Sequence, residues 1–221
     1  MYLSQYIDFH THSDNSSVNA INVNSLQIDK LDKSSLNDFF TAGIHPWNAS
    51  LERVDKDIDR LRSLVSNPAF IGVGEIGLDK LKGPNLQEQI TVLTKQLEFA
   101  YSFGKPVIIH CVKAWDELLA VKKKFPKGIA WAVHGFNGGS ELAKQLVKHG
   151  FYLSIGDVIL NDRSKVREAI STIPIEKLFL ETDTSEVEIE VIYQAVSSIL
   201  GLPTEKLKLQ IANNFREFFN I

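Results

Sequence analysis

The sequence predicts an α/β fold, specifically a distorted TIM (β/α)8-type barrel. From residue 69 onward, short apolar runs alternate with longer segments of helical periodicity, a pattern typical of parallel strands joined by helical crossovers. The strands are apolar on both faces, as expected when helices cover a sheet. Polar residue types collect where the predicted strands end, which is the end of a barrel that carries its chemistry.

The predicted elements keep a regular strand–helix order over most of the chain. The predicted strands cover 5–9, 38–44, 69–74, 106–109, 129–133, 151–155 and 177–182. The predicted helices cover 51–66, 85–103, 114–124, 139–149, 162–172, 186–200 and 204–219. Gly104 and Gly150 end two of these helices, as glycine commonly does. No charge run or Pro/Gly linker divides the chain, so we expect one domain over 1–221.

The N-terminal part departs from this order. Residues 13–37 are polar and show no helical pattern, and they leave two candidates for a further strand, 20–24 and 26–28. A barrel of this class typically uses about 250 residues, whereas this chain has 221. The missing length lies in 13–37. We therefore expect the first one or two helices to be missing or vestigial.

The composition favours an ordinary globular protein and excludes several other classes. Hydrophobic residues make up 44% and charged residues 23%, as in an ordinary globular protein. The net charge of −3 gives no sign of a strongly basic nucleic-acid surface, and the single cysteine excludes an internal disulfide framework. No apolar run approaches the roughly 20 residues of a membrane span, and the N-terminus lacks the pattern of a secretory signal. We expect a cytoplasmic protein with no membrane partner.

Residue types that bind metals follow nearly every predicted strand. They are His10, His12, His45, Glu75, His110, His134 and Asp183. Each has an ordinary structural explanation alone, but together they converge on one mouth of the predicted barrel. Imidazole and carboxylate without thiolate suit Zn, Mn, Ni, Co, Fe or Mg. The set is too large for one catalytic metal that keeps a water position open, so we expect two divalent metal ions.

Six short motifs resemble those of the TatD-family metal-dependent hydrolases, and they occur in the right order. The motifs are D-F-H-T-H (8–12), A-G-I-H-P-W (42–47), G-V-G-E-I-G-L-D (72–79), P-V-I-I-H (106–110), H-G-F-N-G (134–138) and L-E-T-D (180–183). The family has an amidohydrolase-like TIM barrel and includes divalent-metal-dependent deoxyribonucleases. The resemblance implies a metal-dependent phosphodiesterase, nuclease-like in type, with DNA as the candidate substrate.

The same resemblance implies roles for individual residues. One metal ion would be held by His10, His12, Glu75 and Asp183. The second would be held by Glu75, His110 and His134, which makes Glu75 the bridging carboxylate. Asp183 would also orient or deprotonate the attacking water, and His45 would contact a phosphate oxygen. We expect Glu181 to orient one of the metal-binding side chains without binding the metal ion itself.

The substrate-binding part departs from the family pattern. Family members usually carry an arginine at the position of Val112, and here Lys113 is the nearest cation. After Asp183 the chain is expected to enter a helix directly, without the family's longer loop. Asn137 and Trp47 are the further candidates for substrate contact. These departures affect substrate binding rather than metal binding.

Two other functions remain open at this stage. The same metal framework could hydrolyse a small phosphate ester or an amide, and a substrate screen would separate these from nuclease activity. A metal-binding scaffold without catalysis is the third hypothesis. The predicted loss of helices would leave strands near residues 5–44 exposed, which also suggests weak self-association.

Overall fold

The computed structural model of the protein describes residues 5–12, 19–30, 39–125 and 128–221. Its strands form one eight-stranded sheet in chain order, β1 to β8. They are β1 (Tyr6–Thr11), β2 (Ala20–Gln27), β3 (Phe40–Gly43), β4 (Phe70–Asp79), β5 (Val107–Val112), β6 (Trp131–Val133), β7 (Phe151–Ile155) and β8 (Leu178–Leu180). The α-helices in the described ranges are α1 (Val54–Leu64), α2 (Leu86–Ser102), α3 (Trp115–Lys124), α4 (Ser140–Lys148), α5 (Lys165–Ala169), α6 (Ile189–Leu200) and α7 (Thr204–Phe219).

The chain divides into two compact units. The discontinuous unit comprises Met1–Asn24 and Ala132–Ile221, and the continuous unit comprises Ser25–Trp131. In the discontinuous unit β1 pairs in parallel with the start of β2, and β7 pairs in parallel with β8. In the continuous unit β4 pairs in parallel with both β3 and β5. The register is irregular within three of these pairs, a feature that the sequence did not predict.

Most predicted elements are confirmed, with shifted boundaries. The second strand is longer than either candidate, because β2 covers both 20–24 and 26–27. The helix predicted over 162–172 is the short α5 followed by a 3-10 turn at Ile170–Thr172. The helix predicted from residue 186 begins later, at Ile189. Ser185 delays it, since its hydroxyl donates to Asp157 Oδ2 (2.7 Å) and accepts from the Val187 amide (3.2 Å).

The connection between β1 and β2 agrees with a lost first helix. Parallel strands ordinarily need a crossover of a dozen or more residues, but only residues 12–19 connect these two. Between β2 and β3 the described residues include one 3-10 turn, Ile28–Lys30. The remainder of the segment predicted to lack helices, at 13–18 and 31–38, lies outside the described residues.

The first and last strands meet inside the discontinuous unit. Thr11 and Asp183 form a parallel bridge just beyond the end of β8, as a closed strand order requires. Behind it, Phe9 stacks on Phe179 with ring centroids 3.9 Å apart, and Phe218 of α7 packs edge-on against both rings. This aromatic core packs β1, β8 and α7 against one another.

In the continuous unit, buried glutamines fix the strand ends. Gln96 of α2 accepts a hydrogen bond from the Ile44 amide (2.7 Å) and donates to the Ile44 carbonyl (3.1 Å). Gln89 of the same helix accepts from the Asp79 amide (2.7 Å) and donates to the Asp79 carbonyl (2.9 Å). Each bond satisfies a buried backbone group that would otherwise be costly. Among the described helices, none is long and apolar enough to cross a membrane.

Candidate metal centre

Three predicted ligands come together at the end of β1 and just after β8. One ligand atom from each of His10, His12 and Asp183 can be chosen so that all lie within 4.8 Å of one another. Asp183 Oδ1 is 3.8 Å from His10 Nε2 and 3.6 Å from His12 Nε2. The His134 ring stacks on the His10 ring with centroids 4.1 Å apart. We refer to His10, His12, His134 and Asp183 as the discontinuous cluster.

The backbone holds this cluster in register. The Asp183 amide donates to the His10 carbonyl and the His12 amide donates to the Asp183 carbonyl, both at 2.9 Å. Asp183 has a φ of +53°, a left-handed conformation that is uncommon outside glycine but tolerated by aspartate and asparagine. The strand-end hydrogen bonds therefore hold a strained residue with its carboxylate beside two imidazoles.

Glu181 lies behind His134, in the position expected for a residue that orients a ligand. Its side chain is fully buried, and Oε1 accepts a hydrogen bond from the Gly135 amide. The same oxygen is 3.5 Å from His134 Nδ1, while Oε2 has no hydrogen-bond partner among the described residues. A buried carboxylate beside Nδ1 favours a proton there, which leaves Nε2 to bind a metal ion.

Asp8, which precedes His10 on the same strand face, has a different role. Its carboxylate accepts from the Thr182 amide (2.9 Å) and from the Thr182 hydroxyl (2.6 Å). Burial raises the pKa of Asp8 to about 7, although both hydrogen bonds from Thr182 act to lower it. Asp8 therefore ties β1 to the segment that carries Asp183.

A second group of predicted residues meets in the continuous unit. Glu75 Oε1 lies 2.7 Å from His110 Nδ1 and 3.1 Å from His45 Nε2. We refer to His45, Glu75 and His110 as the continuous cluster. Gly77 allows β4 and β5 to approach here, since a Cβ on it would lie 1.9 Å from the His110 carbonyl oxygen. The cluster thus depends on a strand pair that only glycine permits at this position.

The surroundings of His45 decide which of its nitrogens carries the proton. His45 caps the 3-10 turn at Pro46–Asn48, and its Nδ1 accepts a hydrogen bond from the Trp47 amide (3.2 Å). In a neutral imidazole the other nitrogen is then the donor. Nε2–H thus points at Glu75. His45 is therefore arranged to donate a hydrogen bond rather than to bind a metal ion.

His110 has the opposite arrangement. Its Nε2 lies 3.4 Å from Asp79 Oδ2, which leaves Nδ1 facing Glu75. Burial raises the pKa of Asp79, but hydrogen bonds from the Trp47 indole, the Leu81 amide and His110 outweigh it and hold that pKa below its usual value. An ionised carboxylate behind an imidazole is a common support for a metal ligand.

Asp79 is the functional residue that the sequence reasoning missed. Asp79 ends the G-V-G-E-I-G-L-D motif. The available signal was its spacing, because a residue four positions after Glu75 on a strand lies on the same face as Glu75. Its Oδ2 accepts from the Trp47 indole nitrogen (2.6 Å), and its Oδ1 accepts from the Leu81 amide (2.7 Å). A carboxylate followed by a turn is also an ordinary loop anchor. The sequence could not separate the two roles.

The predicted substrate contacts are placed unequally. Trp47 is 43% exposed and lies edge-on to His45 and His110, with centroids 4.6 Å and 5.9 Å away. Asn137 is exposed and lines a cleft of the discontinuous unit together with Glu181 and Asp183. Lys113 is exposed just beyond β5, with a φ of +53°. Among the described ion pairs and ring contacts, none joins Lys113 to either cluster.

The donor sets of both clusters fit divalent metal ions. Leaving His45 aside as a hydrogen-bond donor, each cluster offers imidazole and carboxylate, and neither offers a thiolate. The single thiol, Cys111, has its pKa raised to about 12 by burial, so it stays protonated and is unsuited to ligation. This chemistry agrees with a catalytic rather than a structural site.

The sequence matches a known family model over residues 12–220, described as TatD-related DNase. The metal-dependent hydrolase YjjV of Escherichia coli K12 is 27% identical over 81% of this chain and 75% of its own length. A 3'-5' ssDNA/RNA exonuclease TatD from Cronobacter turicensis is 35% identical over 65% of this chain and 56% of its own length.

Solved structures agree on the fold. The crystal structure of YjjV, a TatD homologue from Escherichia coli K12, matches with a TM-score of 0.84 and 22% identity over 99% of both chains. A TatD-family hydrolase from Entamoeba histolytica matches with a TM-score of 0.77 and 16% identity over 98% of both chains. The predicted α/β barrel of the TIM type is thereby confirmed.

Proposed function

The chain belongs to the TatD-related DNase family, and from this premise we propose that it hydrolyses phosphodiester bonds with two divalent metal ions. The observation that carries the proposal is the pair of imidazole–carboxylate clusters, one in each unit. In this proposal His10, His12, Glu75 and Asp183 would hold one ion, and Glu75, His110 and His134 would hold the other.

Bound divalent ions supply Lewis-acid stabilisation and lower the pKa of water towards neutrality. The residues of this chain do the rest. Asp183, whose side chain is 37% exposed, is the general base that orients the attacking water and takes its proton. His45 donates from Nε2 to a non-bridging phosphate oxygen as charge develops there. This role follows from the Trp47 amide, which occupies Nδ1.

The substrate class is drawn from the relatives and from the site. The 3'-5' ssDNA/RNA exonuclease activity named for the TatD relatives makes a single-stranded nucleic acid the candidate substrate. The single domain over 1–221, the cytoplasmic location and the weak self-association stay predictions.

Activity of the purified chain tests the proposal. Metal-stripped protein should hydrolyse bis(p-nitrophenyl) phosphate and a 5'-labelled single-stranded DNA only after Mn²⁺ is added, and EDTA should abolish the reaction. Glu75→Gln should lose activity together with bound Mn²⁺, while Glu141→Gln, an exposed carboxylate on α4, should keep both. Full metal occupancy without turnover of any phosphodiester would contradict the proposal. Turnover of amides or phosphomonoesters alone would show the alternative hydrolase.

A further inference from the structure

We propose that Lys82 binds a phosphate of the substrate next to the one that reacts, so that the site prefers a chain of phosphodiesters over a small phosphate ester. This inference rests on the proposed function and names a substrate-binding residue that none of the sequence motifs indicated. Every contact that carries it lies within the continuous unit.

The ammonium group of Lys82 is held at the cluster by an aromatic ring. Its Nζ lies 4.2 Å from the ring centre of Trp47, within the range of a cation–π contact. The same indole lies edge-on to His45 and to His110. One indole ring therefore contacts both the ammonium group and the two imidazoles that face Glu75.

The backbone around Lys82 is fixed from both sides. Its amide donates to Asp79 Oδ1 (3.2 Å), and its carbonyl accepts from Gln89 Nε2 (3.1 Å). The neighbouring Gly83 has a φ of +87°, and a Cβ there would lie 2.8 Å from the Trp47 Cα. The lysine loop thus packs directly on the turn that carries Trp47. A pre-ordered cation loses less freedom when it binds an anion.

The charge of Lys82 is available to a ligand. Within the described chain, no carboxylate oxygen comes within 4.0 Å of its Nζ. By contrast, the nearby Lys80 is paired with Glu117 at 2.7 Å. A lysine ammonium has three donors, and a ring face uses the charge without satisfying all of them. Lys82 can therefore donate to an external anion while it rests on the indole.

The position of Lys82 selects which anion it meets. His45 Nε2–H serves the reacting phosphate in the proposed function, whereas the ammonium group lies over the Trp47 ring and, among the described contacts, has none with His45. His45 and Lys82 thus offer two donor groups that do not contact each other. The ammonium group is therefore placed to bind the adjacent phosphate of a polynucleotide. An ester that contains a single phosphate cannot make this contact.

Paired substrates test this inference. Lys82→Met keeps the aliphatic stem and removes the charge. It should raise KM for an oligothymidylate about tenfold and leave kcat nearly unchanged, since the contact is made equally in ground and transition states. KM for bis(p-nitrophenyl) phosphate should not change. Lys82→Arg should restore the oligonucleotide KM, and Lys123→Met, an exposed lysine on α3, should match the unmodified chain.

Binding measured without turnover separates this inference from the proposed function. In EDTA, the affinity for a fluorescently labelled oligothymidylate should fall with salt, and Lys82→Met should reduce the log–log slope by about 0.7. An unchanged slope and KM in Lys82→Met, equal effects on both substrates, or no oligonucleotide binding by the unmodified chain would each overturn the role of Lys82. Failure of the unmodified chain to hydrolyse any phosphodiester would instead contradict the proposed function.

Discussion

The two clusters are held in different ways. In the continuous cluster the side chains support one another: Glu75 contacts two imidazoles, and Asp79 stands behind one of them. The discontinuous cluster is held mainly by backbone hydrogen bonds between the ends of β1 and β8. The side chains of His12 and Asp183 are 27% and 37% exposed, against 5% for His45 and 6% for Glu75. Among these four side chains, that of Asp183, the proposed general base, is therefore the most accessible to water.

The largest expected effect falls on Asp183 of the discontinuous cluster. Asp183→Asn should lower kcat by about 10³- to 10⁴-fold, because a general base is lost. Asparagine tolerates the left-handed backbone of this position, so the fold should survive. Initial rates at saturating Mn²⁺ measure the change in kcat, and circular dichroism checks that the variant is folded. Asp162→Asn, an exposed carboxylate, is the matched control, and near-normal turnover in Asp183→Asn would refute the role.

His45 distinguishes hydrogen-bond donation from metal binding. His45→Ala should lower kcat about 10²-fold, as when a donor to a developing negative charge is removed. The number of Mn²⁺ ions bound per chain should stay the same, because the Trp47 amide already occupies Nδ1. A loss of one bound ion in this variant would make His45 a ligand and would reverse the assignment.

Substitution of the two carboxylates beside the ligand histidines, Asp79 and Glu181, should weaken metal binding to a similar and intermediate extent. Asp79→Asn and Glu181→Gln should each weaken Mn²⁺ binding about 10- to 100-fold, because each carboxylate orients a ligand histidine. Only Asp79→Asn should also change the Trp47 fluorescence, since Asp79 accepts from that indole. Calorimetric titration and emission spectra test both statements. Unchanged Mn²⁺ affinity in both variants would show that neither carboxylate supports a ligand.

The smallest effect concerns stability and compares the two units directly. Tyr193 is fully buried, and its hydroxyl donates to the Ile7 carbonyl (3.0 Å) and accepts from the Ile7 amide (3.2 Å). Tyr193→Phe should lower the free energy of unfolding by about 1–3 kcal/mol, because two buried backbone groups lose their partner. Tyr101→Phe in the continuous unit should cost less, since the Tyr101 hydroxyl is only partly buried. Urea unfolding that ranks the two variants in the reverse order would contradict this.

Much of the fold was predictable because the apolar periodicity from residue 69 onward is strong. The order of elements after β4 follows it closely, and the metal-binding residue types lie at the predicted strand ends. The second strand was ambiguous in the sequence, because the polar residues Asn22, Asn24 and Ser25 interrupt its apolar residues. In the structure, half-buried and buried positions alternate along most of this strand. The start of α6 was placed too early, since the sequence alone does not reveal the contact between Ser185 and Asp157.

The site was predictable in its residue types but not in its orientations. The sequence placed His45 beside the metals, yet the choice of donor nitrogen depends on the turn at Pro46–Asn48. Asp79 and Lys82 could not be identified, because their roles depend on contacts with Trp47 from another loop. Long-range side-chain contacts of this kind leave no periodic trace in a sequence.

Hydrolysis by this chain is proposed to need two divalent ions held by the metal-binding residues of the two clusters. The most direct measurement titrates metal-stripped protein with Mn²⁺ and follows bound Mn²⁺ per chain together with turnover of bis(p-nitrophenyl) phosphate. Two bound ions are expected, with turnover that appears as the second one binds. Full turnover with one bound ion, or with none, would contradict it.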